Sequence, residues 1–184
     1  MRGIVDGVGR SGARLVMGDN LYMYGPTGGQ PLREDMPYTA TGRKGKTRAE
    51  IARMVLDAHK TGQIRATIGR ASDFYGPRVR GSAVGETFFE PAIEGGVVNV
   101  MGNPDLPHTY TYIRDFARGL VNLSEQEIAF GRAWHVASDE TITTRQFADL
   151  VAEEVDRPVR LRPAGKMMLA VVGLFVKDVR ELRE

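Results

Sequence analysis

Cysteine is absent from this chain of 184 residues, and long apolar runs are scarce. Without cysteine, disulfides, zinc–thiolate sites and thiol nucleophiles are excluded, while a reducing compartment is permitted. The longest uncharged apolar run covers residues 167–176, which is well short of the roughly 20 residues that a membrane-spanning helix needs. This run predicts a packed helix or an oligomer contact, such as that of a homodimer; a helix on a membrane surface is the less favoured alternative.

Residues 1–12 do not predict a signal peptide, because they contain Arg2, Asp6 and Arg10 and no apolar stretch. We therefore expect a cytoplasmic protein without a membrane partner. Net charge is only +2, and the basic residues cluster at 43–48 alone, without a broad basic face or aromatic support. Neither a nucleic-acid partner nor a metal site is predicted. The length and the 42% hydrophobic content indicate one domain, or one domain with a small second one.

The stretch from Ala13 to Lys46 organises the chain. Its apolar residues 15–17 predict a short buried strand. This strand runs into polar and aromatic residues, among them Asn20 and Tyr24, and then into a loop rich in glycine and proline. Open α/β sheets carry their chemistry at the carboxyl ends of strands. We therefore expect the functional site at the end of this strand.

A helix and a second strand follow. Ile51, Met54, Val55 and Ala58 form the apolar stripe of a helix that begins near Thr47 and stops at Gly62. Residues 64–69 predict the second strand. Two strands joined by one helix form a βαβ unit, so we expect the strands to be parallel.

The glycines of residues 7–12 spell G-x-G-x-x-G, the pattern of a dinucleotide-binding loop. That loop works only between a strand and the N-terminus of a helix. Here no convincing strand precedes Gly7, and a strand follows Gly12. We interpret the segment as a helix end weakened by glycine, with Ile4, Val5 and Val8 on one face.

The second half of the chain predicts short elements without regular alternation. Three helices are expected: one around residues 88–93, one that follows Asp115, and one that follows Thr143-Thr144. We interpret Asp115 as the cap of the second helix. Strands are expected at 97–101, 110–113, 134–137 and 159–162. Such a mixture is typical of a smaller α+β lobe. We assign residues 1–80 to the C-terminal part of a Rossmann NAD(P)-binding domain. Residues 81–184 are assigned mostly to a substrate lobe with interleaved Rossmann elements.

Four motifs occur in order along the chain: Tyr-Gly-Pro at 24–26, Lys46 with Glu50 at the start of a helix, Arg-x-x-Asp-x-Tyr-Gly-Pro at 70–77, and Tyr-Thr-Tyr-Ile-Arg-Asp-Phe-Ala at 110–117. Together they resemble the NAD-dependent epimerase/dehydratase family of the extended short-chain dehydrogenase/reductase superfamily. The resemblance implies an α/β fold, an incomplete Rossmann-like parallel sheet with a small α+β substrate lobe. It also implies NAD or NADP as cofactor, and hydride transfer at a carbinol or carbonyl carbon of a sugar or small alcohol.

The family uses a Tyr-x-x-x-Lys pair and a Ser or Thr at the preceding strand end for proton transfer. Here Lys46 fills the lysine position, whereas Gly42 stands where the tyrosine belongs and Asn20 where the Ser or Thr belongs. The chain therefore resembles the atypical members that lack the pair. Asn20 can still hydrogen-bond a carbonyl or hydroxyl, and Tyr22, Tyr24 or Tyr38 is either a replacement phenol or a packing residue. The predicted catalytic set is Lys46, Asn20 and Tyr24.

By the same resemblance, cofactor contacts fall on Lys46, Ala71, Ser72 and Asp73, and substrate contacts on Asp73, Tyr75 and His108. Asp73 and His108 often correspond to Asn and Arg in the family, so a diphosphate sugar is disfavoured here by charge. His108 has two possible roles: it is either a catalytic base or a loop histidine that is hydrogen-bonded to the backbone. We interpret His135, in an apolar strand, as a hydrogen-bonded core histidine.

The family's first four strands and its pyrophosphate loop have no counterpart before residue 1, and the chain stops within a helix-like pattern at 179–184. We therefore expect a fragment with an unpaired strand edge, which by itself binds NAD(P) poorly. Two functions remain open. One is an NAD(P)-dependent oxidoreductase, epimerase or dehydratase; the other is a non-catalytic protein that binds or senses NAD(P).

Overall fold

The computed structural model describes residues 1–164. The helices are α1 (Arg2–Ser11), α2 (Arg43–Lys60), α3 (Glu86–Glu94), α4 (Ile113–Glu125) and α5 (Thr144–Glu154). The strands are β1 (Arg14–Asp19), β2 (Arg65–Arg70), β3 (Asp73–Tyr75), β4 (Val97–Met101), β5 (Pro107–His108), β6 (Tyr110–Tyr112), β7 (Ala133–His135), β8 (Ile142–Thr143) and β9 (Arg160–Ala164). Short 3₁₀ turns occur at Tyr22–Tyr24 and Glu127–Ala129.

The described residues form two compact units. The first comprises residues 1–71 and 115–137, and the second comprises residues 72–114 and 138–164. The proposed division near residue 80 into a Rossmann part and a substrate lobe stays a prediction.

A three-stranded parallel sheet in the order β1-β2-β7 organises the first unit. On one face Met17, Ala66 and Ile68 pack with residues of α1 and α2 in a continuous core. On the other face Gly18 and Gly69 lie against α4, and a Cβ at Gly18 would meet the Phe116 ring at 3.4 Å. Because helices cover both faces, five of the six residues of β2 are buried. The predicted α/β class and the parallel βαβ unit are confirmed.

Residues 2–11 form a helix instead of a phosphate-binding loop, as the interpretation of the G-x-G-x-x-G pattern predicted. The helix ends at Gly12, whose φ of 68° is the left-handed conformation that glycine adopts without steric cost. β1 begins two residues later. In the part of the chain that the structure describes, β1 pairs with β2 alone, which leaves its other edge without a strand.

The second unit contains three strand pairs: β3 with β6 and β4 with β9 are parallel, and β5 with β8 is antiparallel. Its core includes Phe88 of α3, Tyr110 of β6 and Phe147 of α5. Thr143 caps α5 in a capping box: its side chain accepts from the backbone of Gln146, and the Gln146 side chain accepts from the backbone of Thr143.

Some expectations need correction. α2 begins at Arg43, four residues before Thr47. Asp115 lies inside the first turn of α4 and pairs with Arg118 at 2.8 Å, so it does not precede the helix as a cap. The predicted apolar helix at 167–176 falls outside the described residues. Among residues 1–164, none of the helices has both the length and the apolar character that crossing a membrane requires.

Candidate active site

A row of three polar residues closes the carboxyl end of the sheet in the first unit. Asp19, Arg70 and His135 are the last residues of β1, β2 and β7, and they are neighbours in register, Asp19 opposite Arg70 and Arg70 opposite His135. Parallel strands bring their carboxyl ends to the same edge, which is where open α/β sheets bind ligands.

Arg70 is the centre of this row, and its side chain is closed to solvent. One terminal nitrogen, Nη1, donates to the hydroxyl of Tyr24 at 2.7 Å, and Nη2 donates to the hydroxyl of Tyr38. The guanidinium also stacks over both rings, 5.3 Å from the centroid of Tyr24 and 5.0 Å from that of Tyr38. Two phenols therefore surround a buried cation, a favourable arrangement for the charge.

Asp19 is the nearest anion, yet it does not hydrogen-bond the guanidinium. Its Oδ2 lies 3.9 Å from Nε of Arg70, and its Oδ1 lies 3.6 Å from Nη1 of Arg48. Both carboxylate oxygens and Nε of Arg70 are buried without a hydrogen-bond partner among the described protein atoms. Burial raises the pKa of Asp19, against the Asn20 amide and the two guanidinium groups, which act to lower it.

Tyr24 connects Arg70 to His135. The Tyr24 hydroxyl lies 2.9 Å from Nε2 of His135, and because Arg70 can only donate, the hydroxyl accepts from Arg70 and donates to the imidazole. Burial raises the pKa of Tyr24 although Arg70 acts to lower it. Burial also lowers the pKa of His135 below 6.5, with Arg70 acting in the same direction and Glu34 opposing it.

The loop of residues 25–40 is held over this cluster. Glu34 Oε1 accepts from the backbone N–H of His135 at 2.9 Å, and the Thr39 hydroxyl donates to the backbone carbonyl of Tyr24. Tyr38 contributes the second phenol on Arg70. These contacts leave Tyr24 only 1% exposed.

The predicted catalytic residues occupy different positions around this end of the sheet. Asn20 directly follows β1, and its Oδ1 accepts from the backbone N–H of Tyr22 at 3.1 Å. Gly42 is the N-cap residue of α2, and Lys46, one turn later, donates its backbone N–H to Gly42 at 3.0 Å. The side chain of Lys46 is exposed. No hydrogen bond or ion pair among residues 1–164 joins Asn20, Tyr24 and Lys46 to one another.

Two other predicted residues, Ala71 and Tyr75, belong to different units. Ala71 is buried, and its backbone N–H donates to the backbone carbonyl of Asp19 at 3.2 Å. Tyr75 lies in the second unit, where its ring contacts Tyr112 and Phe147 with centroids 5.4 Å apart in each case.

Ser72, Asp73 and His108 are brought together in the second unit. Nε2 of His108 lies 2.9 Å from Oδ2 of Asp73 and 3.5 Å from the Ser72 hydroxyl. A Ser-His-Asp relay needs the serine and the carboxylate on opposite ring nitrogens. Here both approach the same nitrogen, so the group is not a nucleophilic triad.

Asp19, Arg70 and His135 are not among the site residues that the sequence predicts. Arg70 belongs to a motif that gives it no role, and the sequence around His135 predicts a core residue. The hydrogen bond from Tyr24 agrees with that interpretation, and the ring also lies at the carboxyl end of the sheet. The detectable signal was a polar residue at the last position of each of three apolar strands.

Comparison with known proteins identifies the family. The model of the NAD dependent epimerase/dehydratase family matches residues 2–137. The chain belongs to this family. No curated protein sequence matches the chain.

Three solved structures of similar fold are complexes of a dehydratase or an epimerase with NAD. A dTDP-glucose 4,6-dehydratase from Streptomyces venezuelae aligns at 18% identity and a TM-score of 0.73, over 89% of this chain and 52% of its own. The corresponding enzyme from Bacillus anthracis aligns at 15% identity and a TM-score of 0.74, over 88% and 53%. A UDP-glucose 4-epimerase from Thermus thermophilus aligns at 18% identity and a TM-score of 0.70, over 88% and 55%.

At these identities the similarity shows the fold, which is Rossmann-like. The chain spans about half the length of each of these structures.

The described residues fit one end of the family's cofactor better than the other. The Lys46 ammonium is exposed and has no ion-pair partner among residues 1–164, and Nδ2 of Asn20 has no acceptor there. The ammonium suits the hydroxyl oxygens of a nicotinamide ribose, and the Asn20 amide suits a carbonyl or hydroxyl oxygen that reacts beside the nicotinamide. The glycines at 7–12, by contrast, lie within and directly after α1, so this segment does not form a strand–loop–helix site for a pyrophosphate.

Proposed function

We propose that this chain is part of an NAD(P)-dependent oxidoreductase of the epimerase/dehydratase type. The enzyme acts on a carbinol or carbonyl carbon of a sugar or small alcohol. Membership of the NAD-dependent family over residues 2–137 carries the proposal. The active site is atypical, because Gly42 occupies the position of the tyrosine in the Tyr-x-x-x-Lys pair. The nicotinamide supplies hydride transfer when it is bound.

Lys46 and Asn20 have separate roles in this proposal. Lys46 hydrogen-bonds the hydroxyls of the nicotinamide ribose from the first turns of α2. Asn20 donates from Nδ2 to the reacting oxygen of the substrate, since the Tyr22 amide already engages its Oδ1. A fixed donor aimed at a carbonyl oxygen stabilises the negative charge that develops there.

Tyr24 is the candidate phenol. Its proton has an acceptor in Nε2 of His135, and the phenolate would be stabilised by the guanidinium of Arg70. With 1% of Tyr24 exposed, the loop at 25–40 has to open before a substrate reaches the hydroxyl. Ala71, Ser72 and Asp73 complete the proposed cofactor contacts.

The substrate-binding role is assigned to Asp73, Tyr75 and His108 in the second unit. The solved neighbours act on nucleotide sugars according to their names, but charge disfavours a diphosphate near a carboxylate such as Asp73. A sugar or small alcohol without phosphate is therefore favoured. We also propose a cytoplasmic location and a homodimer. Analytical sedimentation would test the homodimer.

A non-catalytic protein that binds or senses NAD(P) is the alternative. The absence of a side chain at Gly42 and the enclosure of the Tyr24 hydroxyl favour it, because neither residue presents a proton donor at the surface. Retention of an exposed Lys46 is compatible with cofactor binding under both functions.

Titration of NADH or NADPH fluorescence with the 184-residue chain tests the shared claim of both functions. We expect weak binding, because residues 7–12 form no pyrophosphate site. In Lys46→Ala the affinity should fall by about a further tenfold, since a ribose contact is worth about 1 kcal/mol or more. Lys60→Ala is the matched control, because this exposed lysine lies at the opposite end of α2. Equal affinities of Lys46→Ala and the wild type would refute the cofactor role of Lys46.

Turnover separates the two functions. If the protein is an enzyme, a sugar or small alcohol should cause oxidation or reduction of the nicotinamide. The change in absorbance at 340 nm measures this reaction. Cofactor binding without turnover across a panel of such substrates would support the binding protein.

A further inference from the structure

The three histidines of the chain differ in what their ring nitrogens are free to do. In His59, Nδ1 accepts from the backbone N–H of Ala66 at 3.2 Å. In His135, Nε2 accepts from the Tyr24 hydroxyl. In a neutral imidazole only one nitrogen is an acceptor. The lone pair of each of these two rings is therefore already used.

His108 has the opposite arrangement. Its Nε2 faces Oδ2 of Asp73 at 2.9 Å, and an ionised carboxylate only accepts hydrogen bonds. The ring proton consequently lies on Nε2, and the lone pair lies on Nδ1. No residue among 1–164 donates a hydrogen bond to Nδ1. His108 is thus the histidine whose basic nitrogen is left for a ligand.

The surroundings make this nitrogen accessible and keep it oriented. The side chains of His108 and Asp73 are 39% and 36% exposed. β5 holds His108 opposite Ile142, and β3 holds Asp73 opposite Tyr110 of β6. The Tyr110 ring lies 4.8 Å from the imidazole, centroid to centroid, and its hydroxyl pairs with Thr144 at 2.7 Å. The ring is therefore supported on one side by a tyrosine whose polar group is engaged elsewhere.

We propose that Nδ1 of His108, held by Asp73, is a recognition point for a hydroxyl donor on an uncharged ligand such as a sugar or polyol. The inference rests on the proposed role of Asp73 and His108 as substrate contacts and names the chemistry that they select. A hydroxyl donates to the lone pair. The phosphate group of a phosphomonoester dianion has no proton to donate. Both that group and inorganic monohydrogen phosphate, which keeps one proton, are repelled by the Asp73 carboxylate and by the lone pair. The site therefore discriminates against phosphorylated ligands.

The tautomer is tested first, by ¹⁵N-resolved NMR of the three histidines in the full chain near pH 8. His59→Gln and His135→Gln assign the signals. We expect a protonated Nε2 and a non-protonated Nδ1 in His108. In Asp73→Asn, whose side-chain amide can donate or accept, we expect a mixture of both tautomers. A proton on Nδ1 of His108 in the wild type would overturn the proposal.

Ligand selectivity is tested with glucose and inorganic phosphate as probes, followed through the same His108 signals. We expect a saturable shift with glucose and none with phosphate at equal concentration. In Asp73→Asn the apparent affinity for glucose should fall by about three- to tenfold, as expected for one misoriented hydrogen bond. The signals of His59 and His135 serve as internal controls.

A response to phosphate and not to glucose, or no response to glucose, would overturn the proposed selectivity. Neither experiment needs cofactor or turnover. A failure here is therefore distinguishable from a failure of NAD(P) binding, which the nicotinamide fluorescence titration reports separately.

Discussion

Arg70 and Asp19 end neighbouring strands in register, yet Nε of Arg70 remains 3.9 Å from Oδ2 of Asp19 although both side chains are closed to solvent. The pair is thus too far apart for a hydrogen bond. Arg70 is held mainly by the hydroxyls and rings of Tyr24 and Tyr38. The stability of this end of the sheet therefore depends on the Arg70 guanidinium, around which the side chains of Asp19, Tyr24 and Tyr38 are arranged.

Removal of that cation should destabilise the fold strongly. Arg70→Met leaves the Asp19 carboxylate buried without Arg70 and removes a donor from each of two phenols, so we expect a loss of about 3–5 kcal/mol in the free energy of unfolding. Arg48→Met is the control, because Arg48 is 43% exposed and lies 3.6 Å from Asp19; a loss of about 0–1 kcal/mol is expected there. Urea unfolding measures both. Similar losses for the two variants would contradict the central role of Arg70.

Asp19 should introduce a pH dependence of stability in the acid range. Because burial raises its pKa above 3.8, the folded chain binds the Asp19 proton more tightly than the unfolded chain does. Its contribution to stability is therefore complete below pH 3.8 and is lost as the pH rises through the raised pKa. Urea unfolding measured over this pH range should show this loss of unfolding free energy in the wild type and not in Asp19→Asn. Parallel pH profiles of the two proteins would disprove it.

His135 should act in the opposite direction and at higher pH. Burial lowers the pKa of His135 below 6.5, so the unfolded chain binds this proton more tightly. The contribution to stability is present above pH 6.5 and is lost as the pH falls through the lowered pKa. Thermal unfolding should show a steeper decline on acidification in the wild type than in His135→Gln. An unchanged slope would exclude a titrating His135 as its source.

Gly45 should tolerate no side chain although it lies inside a helix. A Cβ there would clash with the Ala40 methyl group and lie 2.7 Å from the backbone carbonyl oxygen of Tyr22. We expect Gly45→Ala to destabilise the protein by about 1–3 kcal/mol, because overpacking outweighs the helix propensity of alanine. Gly7→Ala in α1 is the matched control. No atom lies within 4 Å of its Cβ, and about 0.5–1 kcal/mol of stabilisation is expected.

Asn20 and Tyr24 should control turnover if the protein is an enzyme. Loss of a polarising donor or of an acid–base phenol slows hydride transfer by at least about 100-fold, so we expect this reduction in kcat for Asn20→Ala and for Tyr24→Phe. Tyr22→Phe is the control, since that residue is 52% exposed and its hydroxyl has no assigned role. Near-normal kcat in Asn20→Ala or Tyr24→Phe would remove that residue from the proposed mechanism.

Local pattern was sufficient for much of the first unit. The apolar run at 15–17, the helical stripe from Ile51 to Ala58 and the second strand all appear where the periodicity predicted them. The three-residue strand β3 was not predicted, because a segment so short carries no readable alternation. The place of β7 beside β2 was also not predicted, since strand order depends on contacts between distant segments.

The family was accessible from the sequence because its motifs are short, local and ordered. The prediction that Gly42 and Asn20 stand in place of the expected hydroxyl residues likewise comes from counting along the chain. The surroundings of Tyr24 could not. Its partners Arg70 and His135 lie 46 and 111 residues away along the chain, and only the register of three parallel strands brings them together.

By itself, the sequence determined the α/β class, the βαβ unit and the family, which follow from local periodicity and residue identity. That the usual proton-transfer pair is absent stays a prediction from the sequence. Tertiary structure alone decided which polar groups meet. It enclosed Tyr24 with a buried arginine, and it paired His108 with Asp73 across 35 residues, which left Nδ1 of His108 free. The reason is physical: a side chain's hydrogen bonds, burial and pKa depend on neighbours in space, and those neighbours are set by strand register and packing.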